Sequence, residues 1–365
     1  MIVFGSPFRY YQGFGILDTA GKLLAPMGRR FFLIGDAFVL DLLADRVEAS
    51  FAAQDRSLAR GLFNGECTSA EINRLIALCR ELGCDAVLGA GGGKAMDTAK
   101  AVSIALNAPV AVLPTVASSD APVSHVAIIY NEDHSNDRVA YMRYAPWCVL
   151  VDTEIILKSP LRLFVSGIGD AMATKFEADA CLASGAITGL RGRPPQAARA
   201  LCDLCWQIVR THSLDAIKAL RTGNPNQAFE QVIEATTLLS GLGFENGGLA
   251  AAHAVSMGLS VLPSTQKSTH GETVAFGLLA QFILEKRPPA FLDDILAFMQ
   301  AVGLPVTLAQ LGLRPEDDPL IRSAAEAACV PTGIMRNMPR PVTPEQTEEA
   351  VREADRLGQN FIHRS

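Results

Sequence analysis

The chain has 365 residues, 49% of them hydrophobic and 19% charged, with a formal net charge of -6. A chain this apolar can build a sizeable core, which excludes global disorder, and the acidic balance argues against a nucleic-acid binder relying on a basic face. The mean hydropathy is +0.22, but no apolar run approaches the ~18–20 residues of a spanning helix; residues 108–117 are rich but broken by Pro109 and Pro114. Met1-Ile2-Val3-Phe4-Gly5 has no basic segment ahead of an apolar one, so no secretory leader is expected. Eight scattered cysteines do not make a disulfide framework. A reduced, cytoplasmic setting is the expectation.

The first 160 residues read as alternating strands and helices. Phe31-Phe32-Leu33-Ile34-Gly35-Asp36 is a buried-strand pattern ending in glycine and an acid, with a helical stretch after it. Thr68 or Ser69 caps a helix running to about Leu82, with Glu71 in its first turn. Cys84-Asp85-Ala86-Val87-Leu88-Gly89-Ala90 is the next strand and runs into Gly91-Gly92-Gly93-Lys94; Ala95 to Leu106 is helical. Val110-Ala111-Val112-Leu113-Pro114-Thr115, then Val126 to Tyr130, then Val149-Leu150-Val151-Asp152 are further strands. The alternation implies a parallel sheet covered on both faces. After Pro160 the period is helical, with breaks at Arg193-Pro194-Pro195, Gly223-Asn224-Pro225, Arg287-Pro288-Pro289 and Arg340-Pro341. The expected organisation is an α/β Rossmann-like domain over residues 1–160 and an all-helical domain over 161–365.

Several segments could carry chemistry. Gly89-Ala90-Gly91-Gly92-Gly93-Lys94 lies between a strand and a helix, where close backbone approach and free N–H groups suit a phosphate. It matches neither the P-loop nor the G-x-G-x-x-G pattern, and a tight turn is the plainer alternative. Asp36 ends an early strand, where an acid can hold a ribose 2′-hydroxyl and repel a 2′-phosphate; a helix cap or solvated acid is the alternative. The polar loop from Pro114 to Ser124 follows a strand end and offers several hydroxyls and one acid, Asp120; an ordinary capped turn is the alternative. Asp170, His253 and His270 would suit a catalytic zinc if they converged, which spacing alone does not decide. Each histidine is otherwise a hydrogen-bonded core residue. Cys202 and Cys205 form a C-x-x-C without a second pair, in a helical segment, and read as two thiols on a helix.

Taken in order, five strings resemble the polyol, or glycerol dehydrogenase, branch of the metal-dependent "iron-containing" alcohol dehydrogenase family. They are Gly91-Gly92-Gly93-Lys94-Ala95-Met96-Asp97-Thr98-Ala99-Lys100, Pro114-Thr115-Val116-Ala117-Ser118-Ser119-Asp120-Ala121-Pro122, Gly167-Ile168-Gly169-Asp170-Ala171, Gly243-Phe244-Glu245-Asn246-Gly247-Gly248-Leu249-Ala250-Ala251-Ala252-His253 and His270-Gly271-Glu272-Thr273-Val274-Ala275-Phe276-Gly277. The resemblance implies a dehydroquinate synthase-like fold with an active site in the cleft between an NAD-binding domain and a helical metal-binding domain. It implies Asp170, His253 and His270 as ligands of one Zn2+ per subunit, counted with Asp120 as the catalytic set. Gly92, Gly93, Lys94 and Asp97 would serve the NAD pyrophosphate string and Asp36 the adenosine ribose. Thr115, Ser118, Ser124, Val126 and Tyr130 would line the nucleotide site, and Asp120 would contact the polyol. It also implies a homo-oligomer, an octamer. The expected reaction is reversible oxidation of glycerol or a related vicinal diol to dihydroxyacetone or its analogue.

One departure bears on the metal. Iron-dependent members carry a further ligand histidine that has no counterpart here, and Met257, one turn past His253, is no hard ligand; three ligands favour zinc. Ser256 in place of a frequent histidine, and the stretch Gln266-Lys267-Ser268-Thr269, bear on substrate preference. Lyases of the dehydroquinate synthase type and glycerol-1-phosphate dehydrogenases are the rival readings. They need a basic cluster for the substrate phosphate, and none surrounds Asp120 or His270. A non-catalytic nucleotide-binding protein would be expected to have lost a ligand or the glycine loop.

Overall fold

The short apolar runs of the first 160 residues become strands. In the computed structural model, which describes residues 1–133 and 135–364, these are β1 (Arg9–Gly13), β2 (Arg30–Gly35), β3 (Ser57–Leu62), β4 (Ala86–Gly91), β5 (Val110–Pro114), β6 (Val126–Tyr130), β7 (Asn136–Tyr141) and β8 (Cys148–Asp152). Six of them form one parallel sheet in the order β1-β8-β5-β4-β2-β3. Every residue of β4, β5 and β8 is buried, as a sheet covered on both faces requires. The covering helices include α1 (Ala20–Leu24), α2 (Ala37–Ala52), α3 (Ser69–Glu81), α4 (Gly93–Leu106) and α5 (Thr153–Leu157). Phe31, Leu33, Leu43, Val47, Phe51, Leu88 and Leu150 belong to one continuous core.

Four strands depart from the sequence expectation. Val126–Tyr130 is not in the parallel sheet: it pairs antiparallel with β7 as a separate hairpin. The polar β7 shows no apolar run. The half-exposed β1 and β3 lie at the two edges of the sheet, where one strand side lacks a partner and the apolar signal is diluted.

The second half is helical: α6 (Leu161–Ser184), α7 (Gln196–Thr222), α8 (Gln227–Glu234), α9 (Ser240–Gly247), α10 (Ala251–Ser260), α11 (His270–Leu284), α12 (Pro289–Val302), α13 (Ile321–Ala328) and α14 (Pro344–Arg364). The proline breaks delimit these helices: Pro195 precedes α7, Asn226 caps α8 and Pro289 opens α12, in line with proline's tolerance at a first turn. By contacts the chain divides into Gly5–Pro160 and a second unit of Leu161–Ser365 with Met1–Phe4. The first four residues pack with the helical unit, where Ile2 bridges Arg193. Among the described residues, no helix is long and apolar enough to cross a membrane.

Candidate metal centre and dinucleotide edge

In the helical unit, three side chains from three helices meet. Asp170 lies midway along α6, His253 in the first turn of α10 and His270 at the start of α11. His253 Nε2 lies 3.3 Å and His270 Nε2 3.5 Å from Asp170 Oδ1. One ligand atom from each residue lies within 4.8 Å of the other two. Close helix approach makes this possible. A Cβ on Gly271 would sit 1.7 Å from Ser166 O, and one on Gly169 2.4 Å from Gly271 O. Only glycines allow α6 and α11 to cross so tightly, and the residues beside them are Asp170 and His270. Ser166 Oγ accepts from Gly271 N at 3.2 Å.

Each ligand candidate is held from behind. Thr269 and Glu272 form a reciprocal capping box at the head of α11, and Arg162 grips Glu272 with two bonds of 2.7 Å. Glu177, one helical face with Asp170 on α6, accepts from His253 Nδ1 at 2.5 Å, His253 N at 2.9 Å and Ala250 N at 2.8 Å. Asp170 and Glu177 are 1% and 0% exposed and His253 6%, whereas the His270 side chain is 50% exposed. Burial alone would raise the Asp170 carboxyl, but His270 and His253 beside it hold it well below the usual carboxylate range. Burial opposes charge on His253, yet Glu177 and Asp170 raise it well above the usual imidazole value. Two buried carboxylates around one buried imidazole leave a negative balance that a divalent cation neutralises. An N, N, O donor set with one exposed side fits a catalytic metal.

In the α/β unit, the order β5-β4-β2 aligns three strand ends. Gly91 ends β4, Thr115 follows β5 and donates N–H to Gly91 O at 3.1 Å, and Asp36 follows β2. The chain steps from β2 outward to β3 and then back across to β4, so strand order reverses between β2 and β4. Ligands of open parallel sheets bind at such a switch, beyond the carboxyl ends. Gly91 turns at φ 136, and the N-terminus of α4 has no side-chain cap. A Cβ on Gly93 would meet nothing within 4 Å. Free helix N–H groups beside open space fit a dinucleotide pyrophosphate. Asp36 caps α2, accepting from Val39 N at 2.9 Å.

The remaining predicted residues fall around this edge. Lys94 reaches Glu66 at 2.5 Å and lies over the Tyr130 ring. Burial pushes the Tyr130 phenol up to about 12. Lys100, fully buried, donates to Asp97, Ala121 O, Ser124 Oγ and Val126 O, while Asp97 also accepts from Ile128 N. Asp97, Ser124 and Val126 are thus tied to one lysine that anchors the loop after β5. Ser118 is half-buried in that loop, and Asp120 is buried at the head of a single 3-10 turn, Ala121–Val123. Cys202 and Cys205 are buried free thiols, and burial pushes Cys202 up to about 12. Met257 is 48% exposed.

Sequence reasoning missed Glu177, Arg162 and Lys100. An acid two helical turns after Asp170, on the same face of α6, was a signal for Glu177. So was the lack of any Ser, Thr, Asp or Asn cap in Gly248-Leu249-Ala250 before α10.

A parallel-sheet edge with an open helix N-terminus and a His–His–Asp cluster open on its His270 side are the features to set beside known proteins. Residues 7–153 match the iron-containing alcohol dehydrogenase family. The chain is 43% identical to the glycerol dehydrogenase of Escherichia coli O6:H1 over 98% of its own length and 97% of that protein. It is 39% identical to the glycolaldehyde reductase of Halobacterium salinarum over 99% of each. The crystal structure of glycerol dehydrogenase from Schizosaccharomyces pombe superposes with a TM-score of 0.96 at 31% identity, covering 100% of this chain and 93% of that one. The chain therefore belongs to the iron-containing alcohol dehydrogenase family and is an alcohol or polyol dehydrogenase of its glycerol dehydrogenase branch.

Proposed function

We propose that the protein reversibly oxidises glycerol or a related vicinal diol to dihydroxyacetone or the matching hydroxyketone, with NAD+ and one zinc ion per subunit. The observation that carries this reading is the meeting of Asp170, His253 and His270 within 4.8 Å in a chain 43% identical to a glycerol dehydrogenase. Zinc bound there supplies a Lewis acid that lowers the pKa of a substrate hydroxyl, and NAD+ supplies the hydride acceptor. Three N, N, O ligands with one exposed side support a catalytic divalent metal, because such a set leaves a position for substrate oxygen.

The chain's own residues do the rest. Gly92, Gly93 and Lys94 offer N–H groups and a cation to the pyrophosphate, with Asp97 and Ser124 holding their surroundings through Lys100. Asp36 accepts from a ribose hydroxyl and repels a 2′-phosphate, which favours NAD over NADP. Thr115, Ser118, Val126 and Tyr130 line the nucleotide. Asp120, a buried carboxylate after β5, orients the substrate's hydroxyls. The reading also carries a homo-oligomer, which light scattering checks.

The 39% identity to a glycolaldehyde reductase favours a second reading, reduction of a small hydroxyaldehyde by the same site. Both are tested by absorbance at 340 nm. Glycerol, 1,2-propanediol and 2,3-butanediol are assayed with NAD+ and NADP+, and dihydroxyacetone and glycolaldehyde with the reduced cofactors, before and after metal removal and zinc addition. The expected result is zinc-restored, NAD-dependent turnover with kcat/KM highest for glycerol. A kcat/KM highest for glycolaldehyde would move the assignment to the second reading.

A further inference from the structure

The cluster's least exposed acid is not one of its ligands. Glu177 is 0% exposed and makes three bonds to the first turn of α10. Its Oε1 accepts from the backbone N–H of Ala250 and His253, and its Oε2 from His253 Nδ1. The two oxygens therefore do different jobs. Oε1 caps a helix whose own sequence supplies no side-chain cap. Oε2 meets the ring nitrogen that faces away from Asp170, while Nε2 faces Asp170 Oδ1 at 3.3 Å.

We propose that Glu177 is the positioning residue of the metal centre: its carboxylate keeps the His253 proton on Nδ1, so that the Nε2 lone pair points into the Asp170–His270 cluster. A carboxylate oxygen can only accept here, so it selects the Nδ1–H tautomer. An imidazole held this way is also a more basic ligand. The inference rests on the metal reading above and extends it to a residue that touches neither substrate nor cofactor. Asp170 and Glu177 are seven residues apart on one face of α6, so a single helix carries a ligand and the group that orients its neighbour.

Glu177→Gln separates the two jobs. The amide oxygen can still accept from Ala250 and His253 N–H, so the cap survives. The amide nitrogen would face Nδ1, which must then accept, moving the ring proton to Nε2 and removing the lone pair. Zinc affinity, read by competition with a chromophoric chelator, is expected to fall about 10–100-fold. The melting temperature of the metal-free protein is expected to move by less than about 5 °C, and Glu177→Asp, still a pure acceptor, to recover part of the affinity. Zinc affinity of Glu177→Gln within about twofold of the parent would overturn the proposal. His253→Ala serves as the control: if it also binds zinc normally, the metal reading itself has failed, whereas if it alone loses zinc, only the role of Glu177 has. Should Glu177→Gln not fold, 15N-histidine NMR of the zinc-loaded parent decides. A far-downfield, exchange-protected Nδ1 proton, absent in His253→Ala, supports the proposal, and an Nε2 proton on His253 overturns it.

Discussion

The candidate dinucleotide edge and the candidate metal cluster are built in opposite ways. The edge is local: strand, glycine turn and helix follow one another from β4 through Gly91-Gly92-Gly93-Lys94 into α4, and its donors are mostly backbone N–H groups. The cluster is non-local: Asp170, His253 and His270 are 83 and 17 residues apart in sequence and meet because glycines let α6 and α11 cross closely. A backbone site tolerates many side chains but not an added Cβ. A side-chain site tolerates no loss of a ligand and depends on the shell that aims it.

The largest effect should come from breaking the non-local site. His253→Ala removes a proposed ligand and leaves Asp170 and Glu177 buried without their imidazole. Turnover is expected to fall roughly a thousandfold, and metal content by elemental analysis to fall with it. Near-normal turnover with stoichiometric metal retained would remove His253 from the centre.

At the local site the test is addition rather than deletion. Gly93→Ala puts a methyl where nothing lies within 4 Å, at the first turn of α4, so the folded protein should lose no stability and gain a few tenths of a kcal/mol. The NAD KM is expected to rise about tenfold, ~1.4 kcal/mol of binding. An unchanged KM would show that the pyrophosphate does not use this space.

Asp36 caps α2 and carries the proposed ribose contact, and the two must be separated. Asp36→Ser keeps a capping hydroxyl for Val39 N and removes the charge. The NADP-to-NAD ratio of kcat/KM is expected to rise several-fold with an unchanged melting temperature, whereas Asp36→Gly changes both; a ratio that does not move in either variant takes Asp36 off the ribose.

The smallest effect is a stability control away from both sites. Burial works against the Glu71 carboxylate, but Arg74 and the Asn64 N–H hold its pKa below the usual value. A depressed folded-state value stabilises the protein above the unfolded pKa near 4.3 and ceases to as pH falls through the folded value. Glu71→Gln is expected to cost about 1 kcal/mol at pH 7 and progressively less below pH 4, read by denaturant titration, with the NAD KM unchanged. A cost that stays constant with pH would mean the ionised form is not what matters.

How much was legible follows the same division. Thr68, one of two cap candidates for α3, strand ends within one residue of Gly91 and Pro114, and the proline-delimited helices are short-range features, and the structure has them. The edge strands β1 and β3 and the polar β7 were not legible, because half-exposed strands carry no apolar run. For the cluster, residue type named the candidates, and family resemblance grouped them. Lys100 and Glu177 stayed out of sight because a buried charge is recognisable only by what surrounds it, and exposed Arg162 because its partner Glu272 lies 110 residues along the chain.

By itself, then, the sequence determined the α/β and helical halves, the glycine turn at a helix N-terminus and the absence of any long apolar span, all set by periodicity and backbone chemistry within a few turns of chain. Tertiary structure alone decided that β6 leaves the parallel sheet, that strand order reverses between β2 and β4, and that Glu177 stands behind His253. Each of these depends on which distant segments touch, and contact across 76 residues, as between Glu177 and His253, is written in packing rather than in any local pattern.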